Sequence, residues 1–193
     1  MKRIAIFASG TGSNFEEIVK ASRTGIISGT VALLVCDKPG ALVVEKARAL
    51  GIDTFVFSPK DYQSKVEFEN HILEKLSSFN VDLIALAGYM RLIGETLLRE
   101  FSGRIINLHP SLLPKYPGKD AVGQALAADE TETGITVHFV DEGMDTGPII
   151  DQVKIKIYPN DNYDSLAKRI HEIEHEFFPK VIERVLGGLV NGD

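Results

Sequence analysis

Short apolar runs alternate with helix-period patterns through the first half of the chain, and this alternation limits the possible folds more than any other feature. Arg3–Ala8 reads as a strand and Asn14–Arg23 as a helix. Val31–Cys36 reads as strand, Leu42–Leu50 as helix and Thr54–Phe57 as strand. Val66–Phe79 predicts a helix with Phe68, Ile72, Leu76 and Phe79 on one face. Leu83–Ala87 follows as strand, Glu95–Phe101 as a short helix and Arg104–Leu108 as a fifth strand. A βαβα order predicts an α/β fold with a doubly wound, mainly parallel sheet. Ligands in such sheets bind beyond the carboxyl ends of the strands. The loops after Ala8, Ala87 and Leu108 are therefore the places to look for chemistry.

The second half changes character. Gly134–Val140 and Gln152–Ile157 alternate or nearly alternate in polarity, which predicts antiparallel strands with one solvated face. Tyr163–Leu186 predicts a long helix with Leu166, Ile170, Ile173 and Phe177 as its apolar stripe, and Pro179 as a point where it kinks or splits. With no linker or repeat in sight, 193 residues fit one domain, 1–193.

A net charge of −6 disfavours a nucleic-acid binder, which carries a basic footprint. The apolar run after Lys2 and Arg3 is too short for a signal peptide, and no stretch approaches a membrane span of roughly 20 residues. The lone cysteine, Cys36, ends an apolar run and reads as a buried thiol, in keeping with a cytoplasmic setting.

Ser9-Gly10-Thr11-Gly12-Ser13-Asn14 follows a strand and opens a helix. Glycines admit a ligand close to the backbone, and free amides at a helix start attract anions, so a phosphate site is one reading. A tight turn whose Ser or Asn caps the helix is the other. The loop also partly matches the dinucleotide pattern G-x-G-x-x-G, with Asp37 as the ribose-binding acid. Phe15 stands where that pattern wants a small third residue.

His171-Glu172-Ile173-Glu174-His175 matches H-E-x-x-H formally. A catalytic zinc needs a third ligand, and only acids such as Glu176 and Glu183 follow. An amphipathic helix explains the pattern better, and no metal is expected. His71 reads as a surface residue and His138 as a hydrogen-bonded strand histidine.

Asn107 and His109 differ. At i and i+2 near a strand end, they project from one face at the edge where sites form. The prolines from Pro110 onward then stiffen the chain. Asn can donate to an oxygen that becomes negative, and His can exchange a proton near neutral pH. A strand simply ending in a proline-rich turn is the alternative. A carboxylate from the loop Asp141–Pro148 would complete a catalytic group by orienting the imidazole.

These residues resemble the folate-dependent formyltransferase family. N-L-H-P-S-L-L-P-K-Y-P-G from Asn107 carries the likeness, with S-G-T-G-S-N, A-G-Y-M-R-L-I and H-F-V-D-E-G-M-D-T-G-P-I in the family's order. The resemblance spans nearly the whole chain. It implies a Rossmann-like formyltransferase fold and transfer of the formyl group of 10-formyltetrahydrofolate to the amine of phosphoribosylglycinamide, in purine biosynthesis. It further implies Asn107, His109 and Asp145 as catalytic residues. Thr11, Gly12, Ser13 and Asn14 then face the substrate phosphate, and Glu174 its ribose. Lys65, Met90, Arg91, Leu92, Ile93, Asn107, Val140, Asp141, Glu142 and Gly143 then line the folate pocket.

Small-molecule substrates are the implied partners, with no nucleic acid or membrane, and the chain is expected to be a monomer or homodimer. Lys65 stands where some members have Arg, and Gly118-Lys119-Asp120 replaces a histidine-containing stretch. Ser111–Glu132 is expected to be a mobile loop that closes over substrate. The alternatives are a sibling formyltransferase, a formyltetrahydrofolate hydrolase or, more distantly, a dinucleotide-binding module. The tRNA-modifying sibling is expected to carry a further C-terminal domain and a more basic surface.

Overall fold

The computed structural model describes residues 1–191; of the single domain expected over 1–193, the last two residues lie outside the described residues. Seven strands form one sheet in the order β3-β2-β1-β4-β5-β6-β7. They are β1 (Arg3–Phe7), β2 (Thr30–Cys36), β3 (Thr54–Val56), β4 (Leu83–Leu86), β5 (Ile105–His109), β6 (Glu132–Phe139) and β7 (Ile149–Lys156). The first five pair in parallel. β5–β6 and β6–β7 are antiparallel.

The helices are α1 (Ser13–Arg23), α2 (Leu42–Ala49), α3 (Lys65–Ser78), α4 (Glu95–Glu100), α5 (Ala121–Ala127) and α6 (Tyr163–Asn191). Strand alternation decides how they layer. On β1, Ile4 and Ile6 face a core with Phe15 and Val43 of α1 and α2 and Phe178 of α6. Ala5 and Phe7 face the opposite core, with Ile72 of α3 and Leu97 of α4. A sheet buried on both faces needs near-continuous apolar strands, which is how TVALLVC reads in β2.

Three features depart from the sequence reading. Pro179 does not split α6, which runs on through it. Proline costs a helix one hydrogen bond and a steric clash, but its neighbours Phe178, Val181 and Ile182 are buried and hold the turn by packing. Within the supposed loop Ser111–Glu132 lies α5, started by Asp120, whose side chain accepts from the Gly123 amide. Val122 and Ala125 bury against Leu166 and Ile170 of α6, a tertiary contact that periodicity over so short a stretch does not reveal. His71 is half-buried, with Nδ1 2.6 Å from the Tyr62 hydroxyl and its ring edge-on to Phe55.

The chain leaves β1 toward β2 and β3 on one side, while β4 and β5 add on the other. The switch point lies between β1 and β4. Crevices of this kind open at the carboxyl ends of the two strands.

Candidate active site

β5 carries Asn107 and His109 to its end, and β6 runs back beside it. Their register sets His138 opposite Asn107 and Thr136 opposite His109. The loop after β6 then returns Asp145 to the same place. Gly147 makes this return possible: a Cβ there would lie 1.7 Å from the Phe139 carbonyl oxygen. Asp145 itself adopts φ 57, a left-handed conformation that aspartate tolerates and that is enriched at functional sites.

The three residues that the resemblance implies as catalytic thus lie together. His109 is buried, and its Nδ1 lies 3.5 Å from Asp145 Oδ2. Its Nε2 donates to the Tyr116 carbonyl at 2.8 Å, so both ring nitrogens face oxygen acceptors. Asn107 Nδ2 lies 3.4 Å from Asp145 Oδ1 and 3.2 Å from His138 Nε2. These contacts are long, and one must yield for the amide to donate to a substrate oxygen.

His138 is the buried, hydrogen-bonded strand histidine expected, and its place beside Asn107 is what the sequence did not show. Its Nδ1 donates to the Phe139 carbonyl at 2.9 Å, leaving Nε2 as the acceptor for Asn107. The same Nε2 is 3.7 Å from Asp145 Oδ1, an electrostatic contact longer than a hydrogen bond. The available signal was parity: Asn107 and His109 share a face, and β6 had to pair beside them. Burial pushes the Asp145 carboxyl up. The His138 ring when protonated, the Gly118 amide and the charge of His109 outweigh it together and hold the group below the usual aspartate range.

The segment after β5 is pinned over this group. Gly118 N donates to Asp145 Oδ2 at 2.7 Å, and Leu113 N donates to Thr136 Oγ1 at 3.1 Å. Thr136 Oγ1 donates to the Ser111 carbonyl at 2.6 Å, and Gln152 Nε2 donates to the Leu113 carbonyl at 2.9 Å. The Leu113–Pro114 peptide is cis.

At the first loop, the capping alternative fails. Gly12 is the N-cap of α1 with φ 77, and no side chain caps the helix, so the first amides stay free for an anion. Gly12 packs so closely on α2 that a Cβ would meet Val43 Cγ2 at 2.6 Å. Asn14 Nδ2 donates to Glu174 Oε2 at 2.8 Å, and Asn14 Oδ1 is buried without a partner. Glu174 is 4 % exposed and lies beside His171, whose pKa is raised by that carboxylate. His171 therefore serves Glu174, and among the described residues no three His, Cys, Asp or Glu side chains converge as metal ligands. Thr11 is exposed and Ser13 half-buried at the mouth of this loop.

The dinucleotide reading also fails on geometry. Phe15 is wholly buried in the layer that a third glycine would keep thin. Asp37 is buried with both oxygens occupied by Ser9 and Arg91.

The third region runs from Met90 to Ile93. Met90 is 69 % and Leu92 50 % exposed, two large apolar side chains close together on one loop. The Ile93 side chain packs in the core with Phe68 and Leu97 and anchors the loop, which leaves its backbone as the part that could face a ligand. Lys65, exposed in the first turn of α3, lines a shallow cavity of about 320 Å³ with Glu69, Gly94 and Arg99. In the loop after β6, Asp141 ties the turn by accepting from Thr146 Oγ1 at 2.6 Å and from Gly143 N at 2.9 Å. Glu142 is exposed, and Val140 is half-buried at the strand end.

A doubly wound sheet with an Asn–His–Asp group at one strand end and an uncapped helix start at the switch point is the frame of a group-transfer enzyme acting on an anionic substrate. Residues 2–182 match the formyl transferase family, and the chain belongs to it. The chain is 56% identical over 187 residues to the phosphoribosylglycinamide formyltransferase of Bacillus subtilis, covering 97% of this chain and 96% of that one. The crystal structure of glycinamide ribonucleotide transformylase 1 from Geobacillus kaustophilus superposes with a TM-score of 0.94 at 56% identity, over 96% of this chain and 99% of the other. The trifunctional purine biosynthetic protein adenosine-3 of Drosophila melanogaster is 47% identical over 99% of this chain, which spans 14% of that protein. The protein is therefore an enzyme of formyl transfer.

Proposed function

We propose that the enzyme transfers the formyl group of 10-formyltetrahydrofolate to the amine of phosphoribosylglycinamide, giving formylglycinamide ribonucleotide and tetrahydrofolate in purine biosynthesis. The observation that carries this reading is the meeting of Asn107, His109 and Asp145 at the end of β5. The reading includes small-molecule substrates, a cytoplasmic setting, one domain over 1–193 and a monomer or homodimer. No helix among the described residues is long and apolar enough to cross a membrane.

The residues fit the two substrates in kind. The uncapped start of α1, from Gly12 to Asn14, offers amides to a phosphate, and the unpartnered Asn14 Oδ1 and buried Glu174 offer acceptors to ribose hydroxyls. Met90 and Leu92 offer exposed apolar surface to an aromatic ring, while the backbone from Arg91 to Ile93 and from Val140 to Gly143 offers polar edges. Lys65 offers a charge to a folate carboxylate, without the two-pronged grip of arginine.

The folate supplies an electrophilic formyl carbon. As the amine adds to it, negative charge grows on the formyl oxygen. Asn107 Nδ2 and protonated His109, its Nε2 released from the Tyr116 carbonyl, donate to that oxygen, and donors aimed in advance at a buried site stabilise the charge more than water does. Asp145 orients the His109 ring and receives the proton shed by the amine, directly or through water; the bond from the formyl carbon to the folate nitrogen then breaks, and that proton passes to the leaving nitrogen to give tetrahydrofolate. His138, by accepting from Asn107, keeps that amide turned with its nitrogen inward.

A difference-spectrum assay tests the reading. Formyl-folate is mixed with the enzyme, with and without phosphoribosylglycinamide. Deformylation that requires the ribonucleotide is expected. Deformylation without it would make the enzyme a hydrolase, and none at all would point to a different acceptor.

A further inference from the structure

Asp37 has no part in this chemistry, yet it is 5 % exposed and fully engaged. Its Oδ1 accepts from the Ser9 hydroxyl at 2.5 Å, and its Oδ2 accepts from Arg91 Nε at 2.9 Å. The Ser9 oxygen in turn accepts from the Met90 amide at 2.9 Å, and the Ser9 amide donates to the Gly88 carbonyl at 3.0 Å. Ser9 opens the loop that leads into Thr11–Asn14. Met90 and Arg91 open the loop reserved above for folate. A polar chain centred on one buried carboxylate therefore joins the two substrate loops across the switch point.

A buried carboxylate is costly unless it is paired and hydrogen-bonded. Here the paired cation is Arg91, whose side chain is 43 % exposed against 3 % for Asp37. The tether is thus asymmetric: its fixed end is in the core and its free end is on the folate loop. Swinging Arg91 outward would strand a charge, so the loop is held in the one position that satisfies Asp37. The backbone bond from Met90 to Ser9 adds that any shift of this loop pulls on the start of the phosphate loop.

We propose that Asp37, acting through Ser9 and Arg91, is a positioning residue that sets the folate loop against the nucleotide loop and couples binding at the two sites. The coupling is reciprocal, each ligand tightening the other by one factor. This inference rests on the folate reading of Met90–Ile93.

The test is equilibrium titration with formyl-dideazafolate, alone and with saturating phosphoribosylglycinamide, and with the ribonucleotide alone. Asp37→Asn keeps the shape and the acceptor for Ser9 but removes the charge that holds Arg91. It is expected to weaken formyl-dideazafolate binding roughly tenfold, the scale of one charged hydrogen bond. It should shift ribonucleotide affinity measured alone by less than about twofold and shrink the mutual tightening toward none. Arg91→Gln breaks the same bond from the solvent side and should give the same pattern even if Asp37→Asn does not fold. The double variant should match the worse single variant, because the two residues act as one unit.

Unchanged formyl-dideazafolate affinity in both variants would overturn the inference. So would an equal weakening of both ligands, or single effects that multiply in the double variant. A wild-type protein that takes up no formyl-dideazafolate would overturn the folate reading itself, and the inference with it. A wild type that binds while the variants bind equally well would overturn the inference alone.

Discussion

The carbonyl oxygen of Tyr116 accepts a hydrogen bond from His109 Nε2 at 2.8 Å, on the side of the ring away from Asp145. Tyr116 has φ 53, and its hydroxyl donates to Glu130 at 2.7 Å, so this carbonyl is held in place by the segment that carries it. The ring is thereby fixed from both ends. His109→Ala should lower turnover about 10²–10⁴-fold if the ring moves protons. Asn107→Ala should lower it roughly 10²–10³-fold as a lost donor to the oxyanion. Near-normal kcat in steady-state assays of either variant would remove that residue from the chemistry.

Asp145 also stabilises the fold in a pH-dependent way. Its folded pKa lies below the ordinary aspartate value of 3.8, so its contribution is present above that value and is lost as pH falls through the lower, folded one. The Tm gap between wild type and Asp145→Asn should therefore be widest near neutral pH and close as pH falls below 3.8. A gap that stays constant down to acid pH would contradict the assignment.

Glu69 has the opposite sign. It is 2 % exposed, burial raises its pKa above the usual 4.5, and its carboxylate accepts from the Gly94 amide at 2.8 Å. What it contributes is present below 4.5 and is lost as pH rises through the folded value. Glu69→Gln keeps an acceptor for Gly94 without a charge. Thermal melts should show it gaining on the wild type from acid to neutral pH; a loss over that range would be the contrary result.

Gly12→Ala should damage the nucleotide loop. The new methyl would sit 2.6 Å from Val43 Cγ2, at a φ of 77. Overpacking costs about 1–3 kcal/mol, and a left-handed alanine adds roughly 1–2 kcal/mol. A lower Tm and a higher KM for the ribonucleotide are expected, with the folate KM less affected. An unchanged ribonucleotide KM would detach this loop from substrate binding.

Glu174→Ala should raise the ribonucleotide KM through two routes: it removes an acceptor and it frees Asn14, now held at 2.8 Å. Steady-state kinetics with varied ribonucleotide would show it, and a fall in kcat alone would place Glu174 in the chemical step instead.

The sheet was legible because apolar alternation reports burial on each face directly: Ile4 and Ile6 went one way, and Ala5 and Phe7 the other. Asn107 and His109 were legible because two residues apart on a strand means one face. Asp145 could be named only by resemblance, since nothing in a glycine-rich loop tells which of its acids turns inward. His138 is the hydrogen-bonded strand histidine that its apolar neighbours suggested; that its partner is Asn107 was not legible, because cross-strand pairing decides it. α5 escaped notice because its burial depends on α6, which lies far along the chain.

The antiparallel pairing of β5 with β6 makes the site sensitive to length as well as to residue type. Adding or deleting one residue between Glu132 and His138 would leave the ladder able to form but turn every later side chain of β6 to the opposite face. His138 would leave Asn107, and Thr136 would leave the segment it pins. In descendants of this chain, gaps should accumulate around β6 and not within it.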